Sequence, residues 1–179
     1  MDTLRDYSST GGSRLQMGNG EGGISMPRIA IIPAVAAALA FSVVSAGAVE
    51  STYKAASTAA PDAVWKKVGD FCGIASWHPA VEKCALSRSG KERTLSLKGG
   101  GTIVERLVSR DDASRQYTYK IISSPLPVKD YVSTIKVVPQ GSGSSIEWTG
   151  KYKAKGASDA DAQKTIDGIY KAGADALAK

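Results

Sequence analysis

The chain has 179 residues, of which 42% are hydrophobic and 22% charged, and its formal net charge is +6. That length suffices for one ordinary globular domain with its own core and is too short for two. Residues 1–48 hold equal numbers of basic and acidic side chains, so the positive charge belongs to the remainder. Its lysines and arginines are scattered rather than grouped in a patch with aromatic residues, so nucleic-acid binding is not expected. The pattern predicts a solvated basic surface, with weak attraction to anionic lipid headgroups as the alternative.

The N-terminal segment has the pattern of an export signal. Residues 1–25 are rich in Gly and Ser, which predicts disorder or an upstream extension before a start at Met26. A short basic start, the apolar run "IAIIPAVAAALAFSVVSAGA" and the small residues Ala46 to Ala48 then predict a signal peptide over 26–48, cleaved before Val49. The alternative is a membrane anchor, since the apolar run approaches the length that spans a bilayer. Both interpretations place residues 49–179 outside the cytoplasm, periplasmic or secreted, and cleavage would leave no stable membrane span.

The first elements after Val49 are a strand and two short helical segments. "VESTYKAAS" alternates and predicts a strand, and "PDAVWKKVGDF" predicts a short helix that begins at Pro61, with Val64 and Val68 on one side. Gly69 and Gly73 break that helix. "GIASWHPA" predicts a second short turn or helix, which Pro79 ends.

Alternating segments separated by turn residues then predict an antiparallel sheet, and the chain closes with one helix. In "SDADAQKTIDGIYKAGADALAK", Ser158 and Asp161 occupy capping positions, and the helical face carries Ala162, Ile166, Ile169, Gly173 and Leu177. The predicted class is α+β, with one curved antiparallel sheet of seven strands around a long C-terminal helix. Small residues on that helix, namely Ala162, Ala172, Gly173 and Ala176, are expected to leave room between helix and sheet. The six later strands are predicted near 82–88, 92–98, 102–109, 115–122, 130–138 and 145–154.

The metal-ligating and redox residue types are few. Cys72 and Cys84 are compatible with one disulfide in an exported domain, or with two small buried thiols. His78 is the only histidine, and no spacing of a metal site or of a serine hydrolase accompanies it. We expect no metal and no cofactor.

Two charged residues lie on faces that alternation predicts to be apolar. Arg93 shares its strand face with Leu95 and Leu97, and Glu105 stands between Ile103 and Leu107. A charge on such a face is costly unless it is paired, so Arg93 and Glu105 are expected to meet each other or a ligand. Two other interpretations are a salt bridge that only sets strand register, and a flipped strand that carries Thr102, Val104, Arg106 and Val108 inward.

The same alternation places aromatic side chains on the inner face. Tyr117 and Tyr119 align with Ile121, Tyr131 with Ile135 and Val137, and Trp148 with Ile146 and Tyr152. Aromatic residues on an inner sheet face are ordinary core residues, or they line a ligand cavity.

The segments "APDAVWKKVGDFCGIASWHPAVEKC" and "RTLSLKGGGTIVERLVSRDDASRQYTYKIISSPLPVKDYVSTIKVVPQGSGSSIEWTGKY", with the final helix, resemble the polyketide cyclase/dehydrase-like branch of the SRPBCC superfamily. The resemblance covers residues 50–179. It implies the START-like helix-grip fold, in which a seven-stranded sheet grips the C-terminal helix around an internal hydrophobic cavity and two short helices close one end. It also implies that "SSPLPVKDYV" forms a loop at the cavity mouth, which makes Tyr131 a cavity residue.

The resemblance implies that in some enzymatic relatives an inward arginine, glutamate and tyrosine on equivalent strands are the catalytic residues. Arg93 matches the arginine of the "R-x-L-x-L" strand, Glu105 the glutamate of the "VER" strand and Tyr131 the tyrosine of "KDYV". Glu105 would move a proton, Arg93 would hold an oxyanion or carboxylate, and Tyr131 would donate to a carbonyl or hydroxyl. His78, near the mouth, is the other candidate base, and a surface or capping histidine is the alternative interpretation. The predicted ligand-binding residues are Trp77, His78, Leu95, Tyr117, Tyr119, Trp148 and Ile169.

Three functions remain open from the sequence. The first is an exported module that binds a hydrophobic small molecule, with a lipid among the ligands considered. The second is an enzyme that catalyses cyclisation, dehydration or isomerisation by proton transfer at Arg93, Glu105 and Tyr131. The third is an accessory protein of an exported oxidation system, which would require an unidentified protein partner, as the resemblance to exported members associated with methanol oxidation implies.

Overall fold

The computed structural model describes residues 47–179. The predicted extension at 1–25 and all but the last two residues of the predicted signal segment lie outside this range. Within the described range, no helix has the length and apolarity needed to cross a membrane.

Strands of alternating burial form one antiparallel sheet of seven strands in the order β1-β7-β6-β5-β4-β3-β2. The predicted class and strand number are confirmed, and the predicted strand ends lie within two residues of the observed ones. β2 and β1 lie at the two edges. The strands are β1 (Val49–Ser57), β2 (Val81–Leu86), β3 (Glu92–Leu97), β4 (Thr102–Asp111), β5 (Gln116–Ser123), β6 (Val128–Gln140) and β7 (Gly143–Ala154).

Two short helices and one long helix complete the domain: α1 (Pro61–Val68), α2 (Ile74–Trp77) and α3 (Asp159–Leu177). Proline stands at the first position of α1, where its missing N–H costs nothing. The side chain of Ser158 caps α3 by accepting from the backbone N–H of Asp161 at 3.1 Å, as its sequence position predicts. The helices contribute their buried faces to a core shared with the sheet.

A bulge in β6 determines where Tyr131 points. Strict alternation from the buried Val128 would place residue 130 inward, but the register shifts between Lys129 and Val132. Asp130 adopts a positive φ of 54° at this point and is exposed. Tyr131 is therefore buried, and Ser133, Ile135 and Val137 follow it on the inner face.

The expectation that the small residues of α3 leave room beside the sheet is wrong at Gly173. A Cβ at this position would lie 2.6 Å from Cδ2 of His78 and 2.7 Å from Cζ3 of Trp148, so the glycine allows close packing. Ala162 is fully buried in the core. The helix instead borders open space one turn and two turns earlier, at Ile169 and Ile166.

Cys72 and Cys84 form a disulfide, with their Cα atoms 5.5 Å apart. Of the two interpretations that the sequence left open, a disulfide or two buried thiols, the structure has the disulfide. The bond joins the segment between α1 and α2 to the edge strand β2. It therefore fixes the short helices to the end of the sheet that borders the internal space.

Candidate functional site

An internal cavity of about 320 Å³ lies between the inner face of the sheet, α2 and α3. Most of its wall is apolar, because the alternation of β2 to β5 turns aliphatic side chains inward and α3 presents its isoleucines. The apolar wall consists of Ile74, Ala80, Val81, Leu95, Leu97, Ile103, Ile121, Leu126, Ile166 and Ile169.

Six side chains with polar atoms interrupt this wall: His78, Glu105, Tyr119, Tyr131, Trp148 and Thr165. Glu105, Tyr119 and Tyr131 come from the neighbouring strands β4, β5 and β6. A mostly apolar cavity with a few convergent polar groups is the usual form of a small-molecule site.

Arg93 and Glu105 are directly opposite each other on β3 and β4. Nε of Arg93 donates to Oε2 of Glu105 at 2.6 Å, and the side chains are 0% and 7% exposed. The expected pairing is therefore confirmed, and the flipped strand is excluded because Arg106 is exposed and pairs with Glu92 instead.

Arg93 lies behind the cavity wall rather than in it. Its Nη1 donates to the carbonyl oxygen of Phe71, and its guanidinium carbon lies 4.1 Å from the centre of the Phe71 ring and 5.1 Å from that of Tyr119. Within residues 47–179, its buried Nη2 has no hydrogen-bond partner. One carboxylate oxygen, one carbonyl and the faces of Phe71 and Tyr119 stabilise the cation, while Nη2 stays without a partner among the described residues.

One oxygen of Glu105 accepts from Arg93, and no hydrogen bond among the described residues reaches the other. Burial raises the pKa of this carboxyl above its ordinary value, and the nearby Arg93 opposes the rise without cancelling it. Glu105 thus presents an acceptor at the cavity whose proton affinity exceeds that of an exposed glutamate.

A chain of buried hydroxyl groups adjoins this acceptor. The Tyr131 and Tyr170 hydroxyls are 2.6 Å apart, and the Tyr170 hydroxyl donates to Oγ of Ser133 at 3.0 Å. Nε1 of Trp148 donates to the Tyr119 hydroxyl at 3.1 Å and to Ser133 at 3.0 Å. Burial raises the pKa of Tyr119 and Tyr131 well above the ordinary tyrosine value, so both remain neutral.

His78 is buried, with 5% of its surface exposed, so it is not a surface residue, and its backbone caps the C-terminus of α2. Nδ1 accepts from the backbone N–H of Ala80 at 3.2 Å, which leaves Nε2–H to donate to the carbonyl of Ile169 at 3.2 Å. Burial lowers the pKa of the imidazole, the hydrogen bond to Ile169 opposes this, and the positive charge of Arg93 lowers it further. The ring is therefore held neutral as the link between α2 and α3.

The structure brings most of the predicted site residues together. His78, Leu95, Glu105, Tyr119, Tyr131, Trp148 and Ile169 line the cavity. Three others lie outside its wall. Arg93 stands behind Glu105, Tyr117 packs edge-on against Phe71 with ring centroids 5.6 Å apart, and the half-buried Trp77 packs against Trp148 at 5.9 Å.

Two residues of the polar network are absent from the sequence predictions. Tyr170 lies four residues after Ile166 on α3. A predicted inner face of this helix at every fourth residue, through 162, 166, 170 and 174, would have included it. Ser133 follows Tyr131 by two on β6 and shares its face. A single small hydroxyl on an apolar strand face carries no sequence signal of its function.

Within residues 47–179, no group of three His, Cys, Asp or Glu side chains is arranged to hold a metal ion. The cavity offers hydrogen-bonding groups rather than a coordination shell.

The seven-stranded sheet, the long helix and the internal cavity define an α+β domain of the helix-grip type, a ligand-binding fold. A family model described as polyketide cyclase/dehydrase and lipid transport matches residues 48–179. The chain belongs to this family, in the polyketide cyclase/dehydrase branch of the SRPBCC superfamily. No curated protein sequence matches the chain.

Several solved structures share the fold. The XoxI protein from Bacillus cereus is 35% identical, with a TM-score of 0.71 over 73% of this chain and 93% of its own. A protein from Bacillus thuringiensis is 33% identical, with a TM-score of 0.68 over 74% of this chain and 96% of its own. The Zhui aromatase/cyclase from Streptomyces is 17% identical, with a TM-score of 0.58 over 70% of this chain and 86% of its own, and it supports the fold alone.

Proposed function

We propose that this chain is an exported protein that binds a hydrophobic small molecule in its internal cavity. The observation that carries the proposal is the apolar cavity of about 320 Å³, interrupted on β4, β5 and β6 by a few polar groups. An unfilled cavity lowers stability in proportion to its volume, whereas a bound apolar ligand restores the missing contacts. The retention of this space inside a closely packed domain therefore favours a ligand.

Export rests on two independent features. The sequence over 26–48 has the pattern of a cleaved signal, and the Cys72–Cys84 bond requires an oxidising compartment to persist. Intact-mass measurement of the protein from the periplasmic or medium fraction should give a chain that starts at Val49. A mass that retains the apolar segment would identify an anchor instead.

Ligand binding is tested by native mass spectrometry of the protein expressed in its natural host and purified without detergent. We expect a stoichiometric small molecule, which solvent extraction would then identify. Ile166→Phe should displace it by filling the cavity, whereas Val132→Phe, on the exposed outer face of β6, should retain it. A protein that carries no ligand and binds no apolar compound would overturn the proposal, and a copurifying protein partner would then support the accessory function.

Proton-transfer catalysis is the second candidate, because the raised pKa of Glu105 and its unpaired oxygen suit a general base. Once the extracted ligand is known, its turnover is measured in the wild type and in Glu105→Gln. Turnover that is lost in the variant while the ligand still binds would establish the enzyme. Binding without turnover in either protein would leave the binding function.

A further inference from the structure

The buried hydroxyl chain has a direction, which follows from its last acceptor. Oγ of Ser133 lies 2.7 Å from the backbone carbonyl of Thr149, and a carbonyl can only accept, so the single proton of Ser133 is committed there. Tyr170 then donates to Ser133 at 3.0 Å, and Tyr131 donates to Tyr170 at 2.6 Å. Each proton points away from the cavity.

This direction gives the two cavity tyrosines different roles. The proton of Tyr131 is used on Tyr170, so toward the cavity Tyr131 has only a lone pair to offer. The hydroxyl oxygen of Tyr119 accepts from Trp148, and its own proton has Tyr131 as its nearest acceptor at 3.4 Å. That distance exceeds the 2.5–3.0 Å of a good O–H···O bond, so the Tyr119 proton is available to a ligand.

The remaining polar side chains of the wall have no free donor. Both ring nitrogens of His78 are used, on Ala80 and Ile169, and the N–H of Trp148 is shared between Tyr119 and Ser133. The hydroxyl of Thr165 donates to the carbonyl of Asp161 at 2.9 Å. Among the described side chains that line the cavity, Tyr119 therefore supplies the one uncommitted proton.

The main hydrogen-bond acceptor in the cavity is the unpaired oxygen of Glu105. The cation that would balance an anionic ligand, Arg93, does not reach the cavity. Arg93 is fully buried and does not line the cavity. A ligand carboxylate would meet a carboxyl group and a lone pair, with one phenol as its only donor.

From this arrangement we infer that the cavity selects a neutral ligand whose buried head is a hydroxyl, as in an alcohol or a phenol. Tyr119 donates to the oxygen of that hydroxyl, and Glu105 accepts its proton in a hydrogen bond. This inference rests on the proposed binding function. It replaces the sequence expectations that Tyr131 is the donor and that Arg93 holds a carboxylate.

The test uses four compounds of one shape and different heads: naphthalene, 2-methoxynaphthalene, 2-naphthol and 2-naphthoate. Their dissociation constants for the wild-type protein are measured by titration calorimetry or by competition with a fluorescent probe. We expect 2-naphthol to bind roughly ten-fold more tightly than 2-methoxynaphthalene, which can accept from Tyr119 but cannot donate to Glu105. Naphthoate should bind most weakly.

Two isosteric variants separate the tyrosines. In the wild type, 2-methoxynaphthalene should bind more tightly than naphthalene, because its oxygen accepts from Tyr119. Tyr119→Phe should abolish this advantage in affinity, and Tyr131→Phe should keep it. Equal affinities across the series, a preference for naphthoate, or loss of the advantage only in Tyr131→Phe would overturn the inference while leaving the binding function intact. Failure of the wild type to bind any of the four compounds would overturn the inference, and together with the absence of a ligand in native mass spectrometry it would overturn the binding function as well.

Discussion

The buried pair of Arg93 and Glu105 has a close counterpart that is exposed. Glu92 and Arg106 also face each other across β3 and β4, at a contact of 2.6 Å, but their side chains are 37% and 49% exposed. The two pairs share strands, residue types and distance; they differ in burial and in the contacts that buried Arg93 makes with Phe71 and Tyr119. They therefore compare an ion pair inside the protein with one that water reaches.

Truncation of the two arginines should have unequal effects. Arg93→Met leaves Glu105 as a buried acid without its partner and should lower the free energy of unfolding by about 3–5 kcal/mol. Arg106→Met should cost less than about 1 kcal/mol, because water replaces the lost partner. Urea denaturation measures both values, and equal losses would show that burial does not govern the pair.

His78 should make stability depend on pH. Because the folded-state pKa lies below the ordinary value of 6.5, the unfolded chain binds more protons in the interval between the two values. The contribution of His78 to the free energy of unfolding is therefore complete above about pH 6.5 and is lost as pH falls toward the folded-state pKa. The slope of this loss is at most about 1.4 kcal/mol per pH unit. The measurement is urea denaturation of untagged protein between pH 7.5 and 5.5.

The control for that measurement is His78→Gln, which removes the only histidine of the chain. Glu105, with its raised pKa, has the opposite sign, since its contribution falls as pH rises, but it is present in both proteins. The difference between wild type and variant thus reports His78 alone. A difference that does not change with pH would contradict the prediction.

Among the elements, α3 carries both the tightest contact and the most open part of the interface. Gly173 packs against His78 and Trp148, and Tyr170 stacks on Trp148 with ring centroids 4.8 Å apart. Ile169 and Ile166, one turn and two turns before Gly173, border the cavity. The helix is held at its C-terminal half, and the cavity opens beside the middle of it.

Two glycines of this helix should respond oppositely to alanine. Gly168→Ala has open space at its Cβ and should stabilise the domain by about 0.5–1 kcal/mol through helix propensity. Gly173→Ala gains the same propensity but forces His78 or Trp148 to move, so we expect a net loss of about 1–3 kcal/mol. Thermal or urea denaturation compares them, and a stabilising Gly173→Ala would refute the close packing.

For the domain as a unit, the disulfide links the cavity end of the fold to the edge of the sheet. The bond closes a loop with a sequence separation of 12, which restricts the unfolded chain more than the folded one. Replacing Cys72 and Cys84 together with serine should lower the free energy of unfolding by about 2–3 kcal/mol. Denaturation of the oxidised wild type and the double variant measures this, and unchanged stability would contradict it.

Much of the fold follows from local patterns in the sequence. Side chains alternate along a strand, so the inward faces of β3, β4, β5 and β7 are readable one strand at a time. Ser158 similarly predicts the start of α3 because its capping bond is local. These features need no knowledge of distant residues.

The site depends on contacts between residues far apart in the chain. Asp130 shifts the register of β6, so that Val128 and Tyr131 both face inward, which strict alternation does not reveal. The direction of the hydroxyl chain requires Ser133 on β6, the Thr149 carbonyl on β7 and Tyr170 on α3 in one place. Sequence alone therefore determined the class of fold, the inward charges and the inner aromatic residues, because local periodicity sets them. The three-dimensional packing decided the disulfide, the cavity and the direction of the buried hydroxyl chain, because hydrogen-bond direction and enclosed volume depend on distances between separate elements.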